Sequence, residues 1–262
     1  MNLLTKKRLA GCALTVAGLL CAGIASAQMT IDGIIGYWPM ESGPDVEDVI
    51  GGNDGVVNGK SKEVAGWFGG AMEFDGITEV EIQGTDALNL NGLDTFSVSA
   101  WANVDSDDPV IGVVAGCCGS IVAQRDMDGW ALRYDGRNAG LEMEFIVHGG
   151  GWAGDGGFGA PLPPAGEWHH YVGVLDGGTM KFYFDGEFQM ESAGAGAVVS
   201  NGAEAEIGHA GDGGFVGAID EVVIYSIALD DDQVMANFET PGLAVDPVGK
   251  LATSWASLKG LR

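Results

Sequence analysis

The sequence contains few basic residues, and this scarcity limits its possible partners. Lysine and arginine together number 12, against 37 aspartates and glutamates, so the formal net charge is −25. An excess of acid of this size repels polyanions. The composition therefore argues against nucleic acid and against an anionic membrane surface as partners. It is compatible both with simple solvation and with a demand for divalent cations.

Long apolar runs are scarce as well. The sequence has one, at the N-terminus. A basic cluster at residues 6–8 precedes an almost unbroken apolar stretch over residues 9–24, and residues 25–27 (Ala-Ser-Ala) match the small-x-small pattern of a cleavage site. The sequence predicts a signal peptide over residues 1–27, cleaved near Ala27, and no membrane span after it. We therefore expect a chain that is secreted or held in the periplasm or cell envelope. Without the leader, nine basic and 37 acidic residues remain, a net charge of −28.

Cysteine is almost absent from the mature chain. Cys12 and Cys21 fall within the leader, which leaves only the neighbours Cys117 and Cys118. Adjacent Cα atoms across a trans peptide lie about 3.8 Å apart, below the usual disulfide range, so a vicinal disulfide is strained but compatible with an oxidising compartment. Two free thiols and links to other chains are the alternatives. Structural zinc is poorly supported because no spaced Cys or His partners accompany the pair.

Catalytic motifs are also missing. The sequence has no G-x-S-x-G, no H-E-x-x-H and no phosphate-cradling loop. Glycosidases of the β-sandwich type place two or three carboxylates on one strand face. The nearest approach, Glu73 to Glu81, is interrupted by a turn at Gly76, while Glu142 and Glu144 read as a solvated strand face. We therefore predict a protein that is not an enzyme.

Glycine is abundant and divides the chain into short apolar runs. It occupies 45 of the 262 positions, well above the average of about 7%. No useful helical period precedes Asp230, and alternating segments such as Phe96–Val104 predict strands. The hairpin turn Asp176-Gly177-Gly178 is predicted between two further strands. About a dozen short strands with regular turns predict an all-β fold, a two-sheet antiparallel β-sandwich with one short C-terminal helix.

The stretch Phe215–Leu229 is predicted to be the central strand, because it is apolar on both alternating faces. The adjacent acids Asp220 and Glu221 interrupt it, and adjacent strand residues point to opposite faces. At least one of the two carboxylates is then expected on the packed side, where it needs a cation or several N–H donors. Asp230-Asp231-Asp232 after it predicts a helix start.

Five segments, in order along the chain, resemble a known family. They read GYWPM, GGAMEFDG, FSVSAWANV, WHHYVGVLDGGTMKFYFDGE and FVGAIDEVVIYSIALDDDQV. Together they resemble the laminin-G-like, concanavalin-A-like jelly-roll domains of secreted bacterial proteins, over Ile34 to Glu239. The resemblance implies two curved antiparallel sheets, often a structural calcium ion, and binding of glycans or proteins. We accordingly predict a signal peptide over 1–27, one sandwich domain over 28–241 and a tail over 242–262.

A calcium ion is the cofactor that the resemblance implies. Related domains often tie the loop after the first strand to the last strand through an ion, and the matching residues are Asp48, Asn53 and Asp220. Calcium takes six to eight oxygen ligands, and because backbone carbonyls and waters supply many of them, few side chains are needed. Further candidates are Glu41, Asp45, Asp54 and Asp75. In the alternative these are ordinary turn acids, and Asp220 is held by N–H groups or an arginine.

The hexapeptide AGDGGF occurs twice, as Ala153–Phe158 and Ala210–Phe215, each shortly after a histidine. Trp152 precedes the first copy in a long loop, and long ordered loops often carry recognition. We predict a ligand-binding set of Trp152, Asp155, His209 and Asp212 that stacks on and hydrogen-bonds a sugar. The alternative is that the aromatic residues of both copies fold back onto the core.

The tail, residues 242–262, carries three basic residues and has apolar residues at helical spacing. A flexible end and a sorting or docking segment are the two interpretations. The sequence as a whole predicts a secreted, non-catalytic binding module for carbohydrate or an extracellular protein, stabilised by calcium. The alternatives are a structural or adhesion component of the envelope and, more weakly, a polysaccharide hydrolase or lyase.

Overall fold

A computed structural model describes residues 29–41, 45–60, 62–112, 117–124, 128–201, 204–211, 213–240 and 242, and the backbone of 245–246 and 250–251. The predicted signal peptide and most of the tail lie outside the described residues. In the described part of the tail, the backbone forms two short paired strands.

The strands and the helix follow one another in this order: β1 (Ile34–Trp38), β2 (Asp45–Val46), β3 (Gly55–Asn58), β4 (Lys62–Ala65), β5 (Gly70–Asp75), β6 (Glu79–Ile82), β7 (Phe96–Val104), β8 (Val110–Gly112), β9 (Cys117–Gln124), β10 (Trp130–Asp135), β11 (Met143–His148), β12 (Trp152–Ala153), β13 (Gly159–Ala160), β14 (Trp168–Asp176), β15 (Thr179–Phe184), β16 (Glu187–Ala193), β17 (Ala205–Ile207), β18 (His209–Ala210), β19 (Gly213–Tyr225), α1 (Asp231–Glu239), β20 (Val245–Asp246) and β21 (Lys250–Leu251).

Two antiparallel sheets form the sandwich, and the predicted all-β fold class is confirmed. The first sheet has the strand order β16-β15-β14-β7-β19-β5-β4, and β1, β8 and β18 also pair with β19. The second has the order β12-β11-β10-β9-β17-β6-β3-β2, with β13 beside β11. We call them the β19 sheet and the β10 sheet. Large apolar side chains from the inner faces of both sheets fill the core between them, among them Phe96, Trp130 and Phe145.

The stretch predicted to be the central strand becomes β19, which lies between β7 and β5 in the β19 sheet. The helix α1 follows where the acidic run predicted a helix start. Asp230 caps it, because its carboxylate accepts from the Gln233 N–H at 2.8 Å while the Gln233 side chain accepts from the Asp230 N–H at 2.9 Å. Val234 of the helix packs on the outer side of the β19 sheet in a second apolar cluster with Tyr37 and Tyr225.

The predicted hairpin turn is present between β14 and β15. Asp176 pairs with Thr179, and the two residues between them, Gly177 and Gly178, have φ of 56° and 80°. Two consecutive positive φ values belong to the tight hairpin turn that matches strand twist, which glycine adopts without steric cost. A disulfide joins Cys117 to Cys118 at the start of β9.

Candidate functional site

The loop after β11 folds back over the outer face of the β10 sheet. Its residue Trp152 is half-buried and packs against a small cluster formed by Ala123, Ala131, Ile146 and Ala210. Trp152 also lies against His148, with ring centroids 5.0 Å apart. Because Ala210 begins the second copy of the repeated hexapeptide, the cluster brings the two copies together. The surface above it is therefore built from two separate loops.

A network of buried charges lies on the same outer face, beside this cluster. Arg133 of β10 is only 2% exposed, and it donates to Glu144 of the neighbouring strand β11 through Nε at 2.8 Å and Nη2 at 2.6 Å. Its Nη2 also donates to Asp155 of the loop at 2.7 Å and to Asp135 at 3.3 Å. Direct pairing of Arg133 with Glu144 in the antiparallel register places both side chains on one face.

The network reaches solvent through two of its members. Asp155 is 43% exposed and Arg137 is 44% exposed, and Arg137 Nη2 lies 3.3 Å from Asp155 Oδ1. Arg137 is held from below by Asp135, which accepts from its Nε at 2.8 Å. These bonds to Arg137 hold the pKa of Asp135 below its usual range, against the opposing effect of burial. The exposed rim is thus a donor and an acceptor fixed in place by buried partners.

Burial raises the pKa of Glu144 to about 7, and the charge of Arg133 opposes this shift. Its other oxygen accepts from the Gly157 N–H at 3.2 Å and the Asn138 amide at 3.4 Å. One oxygen each of Asp135, Glu144 and Asp155 lie within 4.8 Å of one another, but Arg133 already supplies the cation that they surround. The cluster, with two arginines among three carboxylates, therefore supports the loop and does not form an open cation site.

The acids of the central strand occupy a second site, on the outer side of the β19 sheet. Asp220 is fully buried and Glu221 is 5% exposed. The sequence predicted opposite faces for these neighbours, but a bulge shifts the β19–β7 register between Asp220 and Val223, and Glu221 takes a φ of 52°. Both carboxylates consequently bond to groups on one side: Asp220 Oδ2 accepts from the Phe68 N–H at 3.0 Å, and Glu221 Oε2 accepts from the Tyr37 hydroxyl.

Each of these two carboxylates keeps one buried oxygen without a hydrogen-bond partner, Asp220 Oδ1 and Glu221 Oε1. Burial raises the pKa of Asp220 to about 7 and that of Glu221 to about 8, and the charge of nearby Glu41 contributes to both shifts. Glu41 accepts from the Gly70 N–H at 3.1 Å, at the start of β5 and two residues after Phe68, which contacts Asp220. Orphaned buried carboxylate oxygens beside a third acid fit a hard cation such as calcium, which prefers oxygen ligands.

The other two residues predicted to bind calcium lie in the loop after β1 and are already saturated. Asp48 Oδ1 accepts from the backbone N–H groups of Tyr37, Ile50 and Gly51 at 2.8 to 3.1 Å. Its Oδ2 accepts from the backbone and side-chain nitrogens of Asn53 at 3.0 and 2.8 Å. Within the described residues, no hydrogen bond joins this pair to Asp220. The structure brings Asp48 and Asn53 together and leaves Asp220 with other partners.

Among further candidates, Asp54 accepts from the Asp48 N–H at 2.9 Å and Asp75 accepts from the N–H groups of Ile77 and Thr78 at 3.1 and 2.8 Å. Donation from Thr78 lowers the pKa of Asp75. These are turn interactions of the kind that the alternative interpretation predicts. Asp45 begins the short strand β2 and is exposed.

The comparisons with known proteins agree with this architecture. The family model for the concanavalin A-like lectin/glucanases superfamily (Laminin_G_3) matches residues 77–235, more than half of the 262-residue chain. The chain belongs to this family. The predicted resemblance to laminin-G-like and concanavalin-A-like domains is confirmed. A search of curated protein sequences found no match.

Three solved structures illustrate what this laminin-G-like chain is similar to. Domain 4 of an extracellular arabinanase from Geobacillus stearothermophilus, in complex with arabinotriose, superposes with a TM-score of 0.61 at 19% identity, covering 79% of this chain and 98% of that one. The binding domain of Paraclostridial Mosquitocidal Protein 1 gives 0.60 at 16% identity, covering 79% and 52%. Trypanosoma rangeli sialidase in complex with the inhibitor DANA gives 0.55 at 15% identity, covering 81% and 33%. At these identities the similarity establishes the fold.

The laminin-G-like domain places the residues predicted to bind a ligand as follows. Trp152 and Asp155 lie on one loop, above the cluster and the network described above. His209 of β18 is partly exposed, with Nδ1 3.5 Å from Glu79 Oε2, and the adjacent Ala210 joins the Trp152 cluster. Asp212 lies outside the described residues. Phe158 and Phe215 are buried in the core, as the alternative interpretation of the repeats predicts for these two rings.

Sequence reasoning missed the arginine network. Glu144 was read as part of a solvated strand face, and this was wrong, because its side chain is fully buried against Arg133. The available signal was Arg133 itself, a rare basic residue in the middle of the apolar strand WALRYD. A strand position of that kind requires a buried acid on a neighbouring strand.

Among the described residues, no helix is long and apolar enough to cross a membrane.

Proposed function

We propose that this protein is a non-catalytic carbohydrate-binding module that acts outside the cytoplasm. The observation that carries the proposal is the convergence of two loops over the outer face of the β10 sheet. There a half-buried indole, Trp152, shares its loop with Asp155, a fixed acceptor that bonds to the donor Arg137, and His209 of β18 adjoins Ala210 in the cluster under Trp152. We call Trp152, Asp155, Arg137 and His209 the Trp152 surface. An aromatic ring with a few oriented polar groups is the usual composition of a small-molecule site.

Preorganisation supports the proposal. Asp155 and Arg137 are exposed, yet buried Arg133 and Asp135 hold them in position. Groups that are already ordered lose little entropy when a ligand binds, which matters for sugars because each contact is weak. The fold neighbours include an arabinanase domain in complex with arabinotriose and a sialidase in complex with sialic acid. Those ligands belong to those proteins, and they support only the class of ligand proposed here.

The absence of catalysis is part of the proposal. Glu144 and Asp135, which lie beside the Trp152 surface, are fully buried and bonded to arginines, and Asp155 is itself bonded to Arg133 and Arg137. A glycosidase needs an acid and a second carboxylate that both reach the scissile bond. Acids in this arrangement support the loop instead of contacting substrate.

We also propose a structural calcium ion at the central strand. The supporting observations are the orphaned oxygens of Asp220 and Glu221 and the nearby carboxylate of Glu41. This assigns the predicted ion to Asp220, with Glu41 and Glu221 as its partners, and gives Asp48 and Asn53 the role of stabilising their own turn. When bound, calcium would neutralise acids that have no cationic partner among the described residues.

A glycan array tests the function, with wild-type protein beside Trp152→Ala and a control, Phe188→Ala. Phe188 is also an exposed aromatic residue, 47% exposed, but it lies on β16 in the other sheet. The proposal predicts binding that is weakened by about tenfold or more in Trp152→Ala and unchanged in the control. A silent array together with capture of an envelope protein would instead favour the structural or adhesion role. Release of product from a polysaccharide would establish an enzyme.

A further inference from the structure

The outer face of the β19 sheet carries an exposed tryptophan that neither the Trp152 surface nor the acid pair of the central strand explains. Trp67, in the loop between β4 and β5, is 46% exposed. Its ring stacks on Trp101 with centroids 4.1 Å apart and an interplanar angle of 11°. Because a parallel ring at this distance covers one face of the indole, the exposed area of Trp67 belongs to its other face and its edge. A flat aromatic surface is thus presented to solvent.

The loop that presents Trp67 is rigidly built. The N–H of Gly66 donates to the Gly69 carbonyl at 3.1 Å, and the Phe68 N–H is bound by buried Asp220. A Cβ on Gly66 would lie 2.3 Å from the Gly70 oxygen, so the close approach requires glycine. Beneath the loop, Trp101 is only 3% exposed and is packed on its strand by neighbouring rings. An exposed ring that is already held in place loses little entropy when a ligand stacks on it, so Trp67 is suited to binding.

Beside Trp101, the strand register aligns a row of side chains across the same outer face. Directly opposed pairs link β14, β7, β19, β5 and β4 in turn. The members of the row are Trp168, Asn103, Ala218, Glu73 and Lys62. Opposed residues of an antiparallel sheet share a face, and five strands at about 4.8 Å spacing span about 19 Å. The row has a half-buried ring at one end, a small residue in the middle and polar groups between them.

The charges of the row select the ligand. Lys62 and Glu73 form an ion pair and cancel each other, and the amide of Asn103 makes no hydrogen bond within the described part of the chain. The row is therefore neutral on a protein whose net charge is −25. Such a surface repels polyanions without attracting cations locally, and it offers hydroxyl groups both donors and acceptors.

We propose that Trp67, Trp168 and the row between β14 and β4 form a second binding site, which takes a neutral oligosaccharide along the row. Sugar rings would stack on the exposed indole, and their hydroxyl groups would bond to Asn103 and to the Lys62–Glu73 pair. The length of the row suits an extended chain of several sugars. The proposal shares the ligand class of the proposed function but lies on the opposite sheet, so the two can fail separately.

The test is a titration followed through the indole N–H resonances of the seven tryptophans. The probes are soluble neutral trisaccharides of glucose, mannose and xylose, added to about 10 mM so that a site with a dissociation constant of about 1 mM is largely occupied. The Trp67 signal is assigned by its absence in Trp67→Phe, and the Trp152 signal likewise. A shift of the Trp67 resonance supports the second site. A shift of Trp152 alone overturns it and leaves the proposed function standing, and no shift in either overturns both sugar sites.

The same titration, repeated on substituted proteins, measures how much each side chain contributes to the affinity. We expect Trp67→Ala to weaken binding of the responding trisaccharide by about tenfold, Asn103→Ala by severalfold, and Trp67→Tyr to retain most of the affinity. Phe188→Ala, which removes an exposed ring from the edge strand β16 of the same sheet, is the control and should bind like wild type. Equal affinity of Trp67→Ala and wild type would overturn the proposal. An unchanged melting temperature in each variant shows that the fold is intact.

Discussion

Replacing Asp220 by asparagine is expected to stabilise the protein in a chelator and to reduce the stability that it gains from calcium. Asparagine keeps an oxygen that can accept from the Phe68 N–H, which Asp220 Oδ2 does at 3.0 Å. It removes the charge that lies buried beside Glu221 and Glu41. Without an ion, the wild-type carboxylate is costly when ionised, so the variant should be the more stable protein. With calcium, the wild type should gain stability that the variant cannot gain.

The structure sets the size of both effects. Burial raises the pKa of Asp220 from 3.8 to about 7, and each unit corresponds to about 1.4 kcal/mol, so ionisation at pH 8 costs on the order of 4 kcal/mol as an upper limit. A calcium ion present at 100 times its dissociation constant raises the free energy of unfolding by about 2.7 kcal/mol. For a chain of this length, 1 kcal/mol shifts the melting temperature by roughly 2–4 °C. Calcium should therefore raise the wild-type melting temperature by roughly 5–10 °C.

The assay is thermal unfolding of both proteins at pH 8, in calcium and in chelator. The prediction is that the variant melts higher than the wild type in chelator, and that calcium raises the melting temperature of the wild type more than that of the variant, so the difference between them shrinks or reverses. A variant that melts lower than wild type in chelator would refute the view of Asp220 as an uncompensated acid. An equal calcium shift in both proteins would place the ion away from this strand.

Three further predictions concern the buried charges and the helix. In chelator, the free energy of unfolding should fall as the pH rises from about 5 to about 8, because the raised pKa values of Asp220 and Glu221 make the folded state bind more protons than the unfolded state in that window. Urea unfolding at several pH values measures this free energy. A rise in stability over the same pH range would contradict the prediction. Arg133→Met should lower the free energy of unfolding by about 3–5 kcal/mol, because it leaves Glu144 without its partner. The double variant Arg133→Met with Glu144→Gln should recover part of this loss. Urea unfolding measures both variants, and equal losses would show that the pair is not coupled. Asp230→Ala should lower the free energy of unfolding by about 1 kcal/mol, because the helix loses its N-terminal cap. Asp230→Asn, which can still cap the helix, is the control in thermal melts. An unchanged melting temperature for the alanine variant would count against the cap.

Most of the strands could be predicted because their signals are local. Alternation in Phe96–Val104 and the Gly177-Gly178 turn are properties of a few neighbouring residues, and the structure has the strand and the turn where they indicate. The central strand β19 and the start of helix α1 were predicted for the same reason. These signals need no knowledge of which strands become neighbours.

The sites depended on information that is not local. Arg133 and Glu144 meet because β10 and β11 pair in one particular register, and a shift of one residue would separate them. The bulge at Glu221 has no clear local signal, since a non-glycine residue there adopts a positive φ. The bulge turns the two neighbouring carboxylates to one side of the sheet, whereas strand alternation predicted that they point to opposite faces. Asp48 and Asp220 were linked only through the family resemblance, and the described hydrogen bonds join each to different partners.

The position of β19 has a consequence for the order in which the chain can assemble. This strand is near the C-terminal end of the domain, yet it lies between β7 and β5 and also pairs with β1. During synthesis, β5 and β7 emerge long before the strand that must separate them, so the sheet has a gap until Gly213–Tyr225 has left the ribosome. Contacts between residues this far apart in the chain slow folding. We therefore expect the β19 sheet to be completed only at the end of synthesis, and any truncation before Gly213 should be degraded instead of accumulating as a smaller domain.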